Sequence, residues 1–166
     1  MNLDEDTLQI RRIYEGRIFR VEQALVRLPN GKETCRDVVK HPGAVAVLAW
    51  PSPRDIILVR QFRYATDRQL WEIPAGKLEP NEDPADCAAR ELAEETGYYP
   101  QQLEHIYSFY TSPGFSSELL HLFSATNLKP VLSNTDVDEF LALTTIPLAD
   151  AFCWLSQGKI REAKTI

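Results

Sequence analysis

One segment limits what this chain can become more than any other: G-K-L-E-P-N-E-D-P-A-D-C-A-A-R-E-L-A-E-E-T-G-Y, residues 76–98. Asp83 can cap free amides and Pro84 suits a first helical position, so a helix is predicted to open there. Asp86 adds charge that favours the first turn, and the helix should stop near Gly97, where a left-handed residue is wanted. Along it lie Glu91, Glu94 and Glu95, with Glu82 just upstream and no matching line of Lys or Arg nearby. Residues four apart leave one helical face about a turn from each other, so Glu91 and Glu95 repel. Arg90, four before Glu94, can tie one of these carboxylates down. Two readings stand side by side: a solvated acidic face, or a site for a cation from outside the chain. Carboxylates with water oxygens are what Mg²⁺ or Mn²⁺ prefers, and such an ion can bridge a diphosphate.

The rest of the chain fits a globular frame. Its 166 residues suit one domain, and 44% hydrophobic with 25% charged residues predicts a packed core. A net charge of −6 argues against a nucleic-acid or anionic-membrane partner held by bulk charge. No apolar run approaches the roughly 18 residues of a membrane span, and the acidic start M-N-L-D-E-D-T-L does not resemble a signal peptide. Cys35, Cys87 and Cys153 are widely spaced and read as reduced thiols, so the cytoplasm is expected.

Residues 17–41 read as a hairpin turning at Pro29-Asn30-Gly31. A second pair of buried strands, 44–50 and 55–61, is expected around Pro51-Ser52-Pro53, and further strands at 105–110, 119–125 and 140–146. A last helix should run from Pro147 to near Gly158, with Ala151, Phe152 and Leu155 on one side. One helix between strand groups and another at the end suggests α/β (α+β) with a mixed sheet. His41, His105 and His121 have no ligand spacing and read as structural.

Gly76, five residues, Glu82, seven residues, then Arg90-Glu91-Leu92-x-Glu94-Glu95-x-Gly97 resembles the Nudix box, G-x5-E-x7-R-E-U-x-E-E-x-G-U, where U is a bulky aliphatic. The departure is Tyr98 at the last position, which concerns packing and not chemistry. The resemblance implies the Nudix fold, a mixed β-sheet in an α/β/α sandwich preceded here by an N-terminal β-hairpin. It also implies hydrolysis of a nucleoside diphosphate linked to another group, with Mg²⁺ or Mn²⁺ as cofactor. Glu91 and Glu95 would be the main metal ligands, joined by the Ala75 carbonyl. Glu94 would be a further ligand or an orienter with a catalytic part, as would Glu95. Gly76, Glu82, Arg90 and Gly97 would hold the loop and helix in shape.

Pro113, sixteen residues after Gly97, and the loop S-P-G-F-S-S-E look like the ADP-ribose pyrophosphatase branch. V-R-Q-F-R-Y (59–64), W-E-I-P-A-G-K (71–77) and C-R-D-V-V-K-H (35–41) resemble that branch too. By this resemblance Arg63, Glu72 and Glu118 would surround the diphosphate and terminal ribose, with Gly76, Gly114 and Phe115 also touching substrate. Arg suits a diphosphate because its fork donates parallel hydrogen bonds. Arg36 would pack on adenine, with Phe19 or Tyr14 as a second stacking partner, and the hairpin would serve a partner subunit in a homodimer. Residues 1–41 would form this dimerisation segment and 42–166 the hydrolase domain, together one structural unit. The catalytic base would be Glu139, with Asp136 and Asp138 near enough to substitute. GDP-mannose or another nucleotide sugar is the alternative substrate, and a non-catalytic nucleotide-sugar-binding module the alternative role.

Overall fold

A tight turn at Pro29-Asn30-Gly31 sets the first sheet. Gly31 takes φ +82°, the Asn30 side chain accepts from the Lys32 amide at 3.0 Å, and the flanking strands pair from Arg27 with Glu33 onward. These strands are β2 (Arg20–Arg27) and β3 (Glu33–Lys40); outside β2 lies β1 (Asp6–Glu15) in the order β1-β2-β3. The sequence did not mark β1 as a strand. Its register with β2 shifts between Thr7 and Gln9 and again between Arg12 and Tyr14, so Leu8, Ile10 and Ile13 fall out of strict alternation. The computed structural model describes residues 2–132 and 140–166. The chain divides into two compact units, the first running to Gly43 with Phe109–Leu119, the second being Ala44–Ser108 with Leu120–Ile166.

In the second unit, β4 (Ala44–Ala49) runs parallel to β9 (Leu119–Pro130) and antiparallel to β7 (Ala75–Lys77), in a four-stranded sheet ordered β7-β4-β9-β8. The edge strand β8 (Tyr98–Tyr110) starts seven residues earlier than expected, directly after Gly97, and tolerates Pro100 because it is an edge. The other sheet is β10-β5-β6, with β5 (Asp55–Arg63), β6 (Arg68–Glu72) and β10 (Ala142–Pro147), all antiparallel.

Two expectations are corrected. The strands flanking Pro51-Ser52-Pro53 form as predicted, but β4 and β5 join different sheets and do not pair. Two prolines fix φ across the short connection and offer no amide to a ladder. Phe152 does not share the buried side of α2 (Leu148–Ser156): it is exposed while Ala151 is buried, one residue being about 100° of turn on a helix. Trp154 contributes instead, 5.3 Å from Trp71 between ring centroids.

Helix α1 (Pro84–Thr96) opens and closes as its sequence predicts. Asp83 accepts from the Ala85 amide at 2.8 Å, Pro84 is the first residue, and Gly97 ends it at φ +71°. Cys87, Ala88 and Leu92 face Val45, Val47 and Ala49 of β4 with Ile57, Phe123 and Ala125, all buried. That core fixes the adjoining acidic side of α1 toward β7, the strand paired with β4. Among the described residues no helix is long and apolar enough to cross a membrane.

Candidate active site

The loop from β6 to β7 meets the acidic side of α1 at two points. The Ala75 amide donates to Glu95 Oε2 at 3.0 Å. Gly76 lies under Glu91, so closely that a Cβ at position 76 would overlap the Glu91 carboxylate. Glycine is therefore required here by close approach and not by positive φ. Glu95 is buried, and Glu91 is partly so.

Arg90 sits among the remaining carboxylates. It donates from Nε and Nη2 to both oxygens of Glu82, at 2.8 and 3.0 Å, and from Nη1 to Glu91 at 2.9 Å and Glu94 at 3.0 Å. Those hydrogen bonds hold Glu82 down at about 2 against its ordinary 4.5, and raise Arg90. Glu82 also accepts from the Glu79 amide, pinning the turn before the helix. Beneath, the Cys87 thiol is pushed up to about 12, first by burial and then by Glu82, so it stays protonated and unreactive.

The carboxylates of this corner are oxygen donors, the kind that hard divalent cations take. Among the described residues no three His, Cys, Asp or Glu side chains converge tightly enough to hold a metal. Arg90 supplies the positive charge between Glu91 and Glu94 instead. The residues nonetheless fit a cation, by their donor chemistry and by the bare glycine on which the Glu91 carboxylate rests.

Beside Glu95 opens a cleft of about 670 Å³, bounded by Arg60, Phe62, Gln69, Phe140 and Leu143. That is a size small-molecule sites commonly have. Arg60 lies over the Trp71 ring at 5.5 Å.

Arg63 and Glu72 meet each other. Arg63 donates from Nε and Nη2 to the two Glu72 oxygens at 2.9 and 2.7 Å. Glu72 is fully buried and accepts a third bond from Lys164 Nζ at 2.6 Å. Burial alone would raise the Glu72 pKa, but the Arg63 bonds and the Lys164 charge outweigh it and hold it below the usual value. Glu72 thus anchors Arg63 from its buried position. Arg63 keeps 41% of its side chain exposed, with Nη1 outside the pair. Lys164 gave no signal in the sequence, since it lies 92 residues from its partner.

The other predicted substrate residues belong to the first unit. Arg36 makes a two-pronged ion pair with Glu5, at 3.1 and 2.6 Å, that no local spacing announced. Phe115 accepts from the Val39 amide at 2.8 Å, and Ser117 returns a bond to the Val39 carbonyl at 3.0 Å, laying 112–118 along β3. Glu118 accepts from the Thr111 hydroxyl and lies 3.7 Å from His41 Nδ1, and Gly114 is open around its Cα. Tyr14 and Phe19 are exposed, 6.1 Å apart between ring centroids. Glu139, Asp136 and Asp138 lie outside the described residues. His105 and His121 share the Ser108 hydroxyl at 2.8 Å each, a structural link on the β8–β9 side.

The NUDIX domain matches residues 40–166. An ADP-ribose pyrophosphatase of Bacillus subtilis (strain 168) is 44% identical over 166 residues, 99% of this chain and 90% of its own. A methanol dehydrogenase activator of Bacillus methanolicus is 42% identical over 165 residues, 98% of this chain and 89% of its own. A crystal structure of an ADP compounds hydrolase superposes with a TM-score of 0.86 over 99% of this chain and 90% of the other, at 23% identity, and so shows the same fold.

Proposed function

The chain belongs to the Nudix family, and from that premise we propose that it hydrolyses the diphosphate of ADP-ribose to AMP and ribose 5-phosphate. The observation that carries the chemistry is the seating of α1 on the 75–76 loop, Glu91 over Gly76 and Glu95 on the Ala75 amide. The choice of substrate is supported by 44% identity, over nearly the full length of both chains, to a protein named for it.

Divalent ions, Mg²⁺ or Mn²⁺, would be held by Glu91, Glu95 and the Ala75 carbonyl with help from Glu94. When bound they supply Lewis-acid polarisation of the diphosphate and make water more acidic. The chain's own groups do the rest. Arg90 fixes Glu82 and so the loop that presents Ala75 and Gly76. Arg63, held flat by Glu72, turns its free edge to the phosphate oxygens, where charge develops as the P–O–P bond breaks. Glu139, or Asp136 or Asp138 beside it, takes the proton from the attacking water. The cleft beside Glu95 takes part of the sugar.

We assign the N-terminal hairpin to a homodimer in which Arg36 and Tyr14 or Phe19 serve the neighbouring copy's adenine. Support comes from β1, a sheet edge whose ten residues are all exposed although Leu8, Ile10, Ile13 and Tyr14 are apolar or aromatic. Its free thiols suit a reducing cytoplasm.

The test is a substrate panel with products identified by mass, run with and without chelator. Equal AMP and ribose 5-phosphate from ADP-ribose, abolished by chelator, is expected. Faster turnover of GDP-mannose would reassign the substrate. The similarity to the methanol dehydrogenase activator favours a second reading, in which the protein raises the activity of a dehydrogenase. Adding it to such an enzyme, with and without its own hydrolysis disabled, separates the two.

A further inference from the structure

Residues 162–165 grip the strand that leads into the metal loop. The Thr165 hydroxyl accepts from the Ile73 amide at 3.0 Å and donates to Glu162 at 3.0 Å. Next to it, Lys164 Nζ lies 2.6 Å from Glu72 and 3.2 Å from Glu162, with only 11% of its side chain exposed. A bidentate Arg–carboxylate pair alone is neutral, and a neutral pair offers little to a diphosphate. Here the Glu72 charge is divided between two cations. Glu162 draws on the ammonium from farther away and from a more solvated position, and so offsets it less.

We propose that Lys164 is a positioning residue of the diphosphate site: by sharing Glu72 with Arg63, it leaves part of the guanidinium charge free for an anionic substrate. The inference rests on Arg63 being a diphosphate ligand. Lys164 touches no substrate itself. Because Arg63 meets the anion both on binding and as charge develops in the reaction, losing Lys164 should raise KM and lower kcat together.

Binding of inorganic pyrophosphate in excess chelator tests this without turnover. Lys164→Met should weaken binding by about three- to tenfold, and Lys164→Arg should restore it. Glu162→Gln, which still accepts from Thr165 and removes the competing charge, should tighten binding by about twofold. A merely structural role would leave affinity unchanged in any variant that melts cooperatively. Equal binding by wild type and Lys164→Met, no rescue by Lys164→Arg, or no wild-type binding at millimolar pyrophosphate each overturns the proposal. Should Lys164→Met fail to fold, Lys164→Gln, which can still donate to Glu72 but carries no charge, takes its place: unchanged binding refutes. Lys164-dependent pyrophosphate binding in a protein that leaves ADP-ribose uncut would end the substrate reading and keep this one.

Discussion

In α1 and the loop before it, the four box carboxylates are held within one short stretch: Glu82 and Glu94 by Arg90, Glu91 against Gly76, Glu95 on the Ala75 amide. The N-terminal hairpin is arranged otherwise. All ten residues of β1 are exposed, no strand among the described residues lies beside its outer edge, and Arg36 is held by Glu5 at the start of the chain. The helix region completes itself from its own neighbours over a buried core. The hairpin leaves apolar surface that another chain can use. Chemistry that needs sub-ångström placement sits in the first kind of region, and recognition shared between copies suits the second.

Short of removing a carboxylate, the largest effect should follow from a single methyl group at the tightest point of the helix region. Gly76→Ala puts a Cβ where the Glu91 carboxylate lies. Because the displaced atoms are the end of a flexible side chain, stability should change by less than about 1 kcal/mol, while ADP-ribose turnover falls about a hundredfold. Unchanged turnover would mean that Glu91 need not rest there.

Leu92→Ala empties a fully buried site under the same face. A cost of about 2–5 kcal/mol in denaturant unfolding is expected. If the loss were no greater than for a hairpin residue, the contrast between the two regions would vanish.

Glu82→Gln should act through pH. The folded carboxyl sits at about 2 and its ordinary value is 4.5, so its contribution is fully present above 4.5 and is lost as pH falls from there toward 2. The variant should be less stable than wild type at pH 6 and converge on it near pH 2. A stability gap that stays constant across that window would remove Arg90 as the cause.

The smallest effect on stability belongs to the hairpin. Ile10→Glu with Ile13→Glu should shift unfolding of the single copy by about 0.5 kcal/mol or less, since within one copy both side chains face solvent. Sedimentation should nonetheless show the dimer falling to monomer. A wild type that sediments as a monomer refutes the homodimer directly.

How much the sequence revealed follows the same division. The cap at Asp83, the proline after it and the stop at Gly97 are neighbours in sequence, and all three form as read. So does the Asn-Gly hairpin, because its turn chemistry is local. What stayed hidden depended on distance or irregularity. Lys164 reaches Glu72 across 92 residues, and Arg36 meets Glu5 across 31. The strand β1 loses its alternation at two register shifts. The strands on either side of Pro51-Ser52-Pro53 were each legible, but their partners were not, since pairing is set by the whole sheet.

The carboxylates of α1, with divalent ions, should be what makes a diphosphate bond breakable. Glu95→Gln keeps an oxygen that can accept from Ala75 and removes the charge, so the fold should survive. Measured with ADP-ribose and saturating Mg²⁺, the variant should lose about a thousandfold or more in kcat at an unchanged melting temperature. Turnover close to that of the wild type would contradict it.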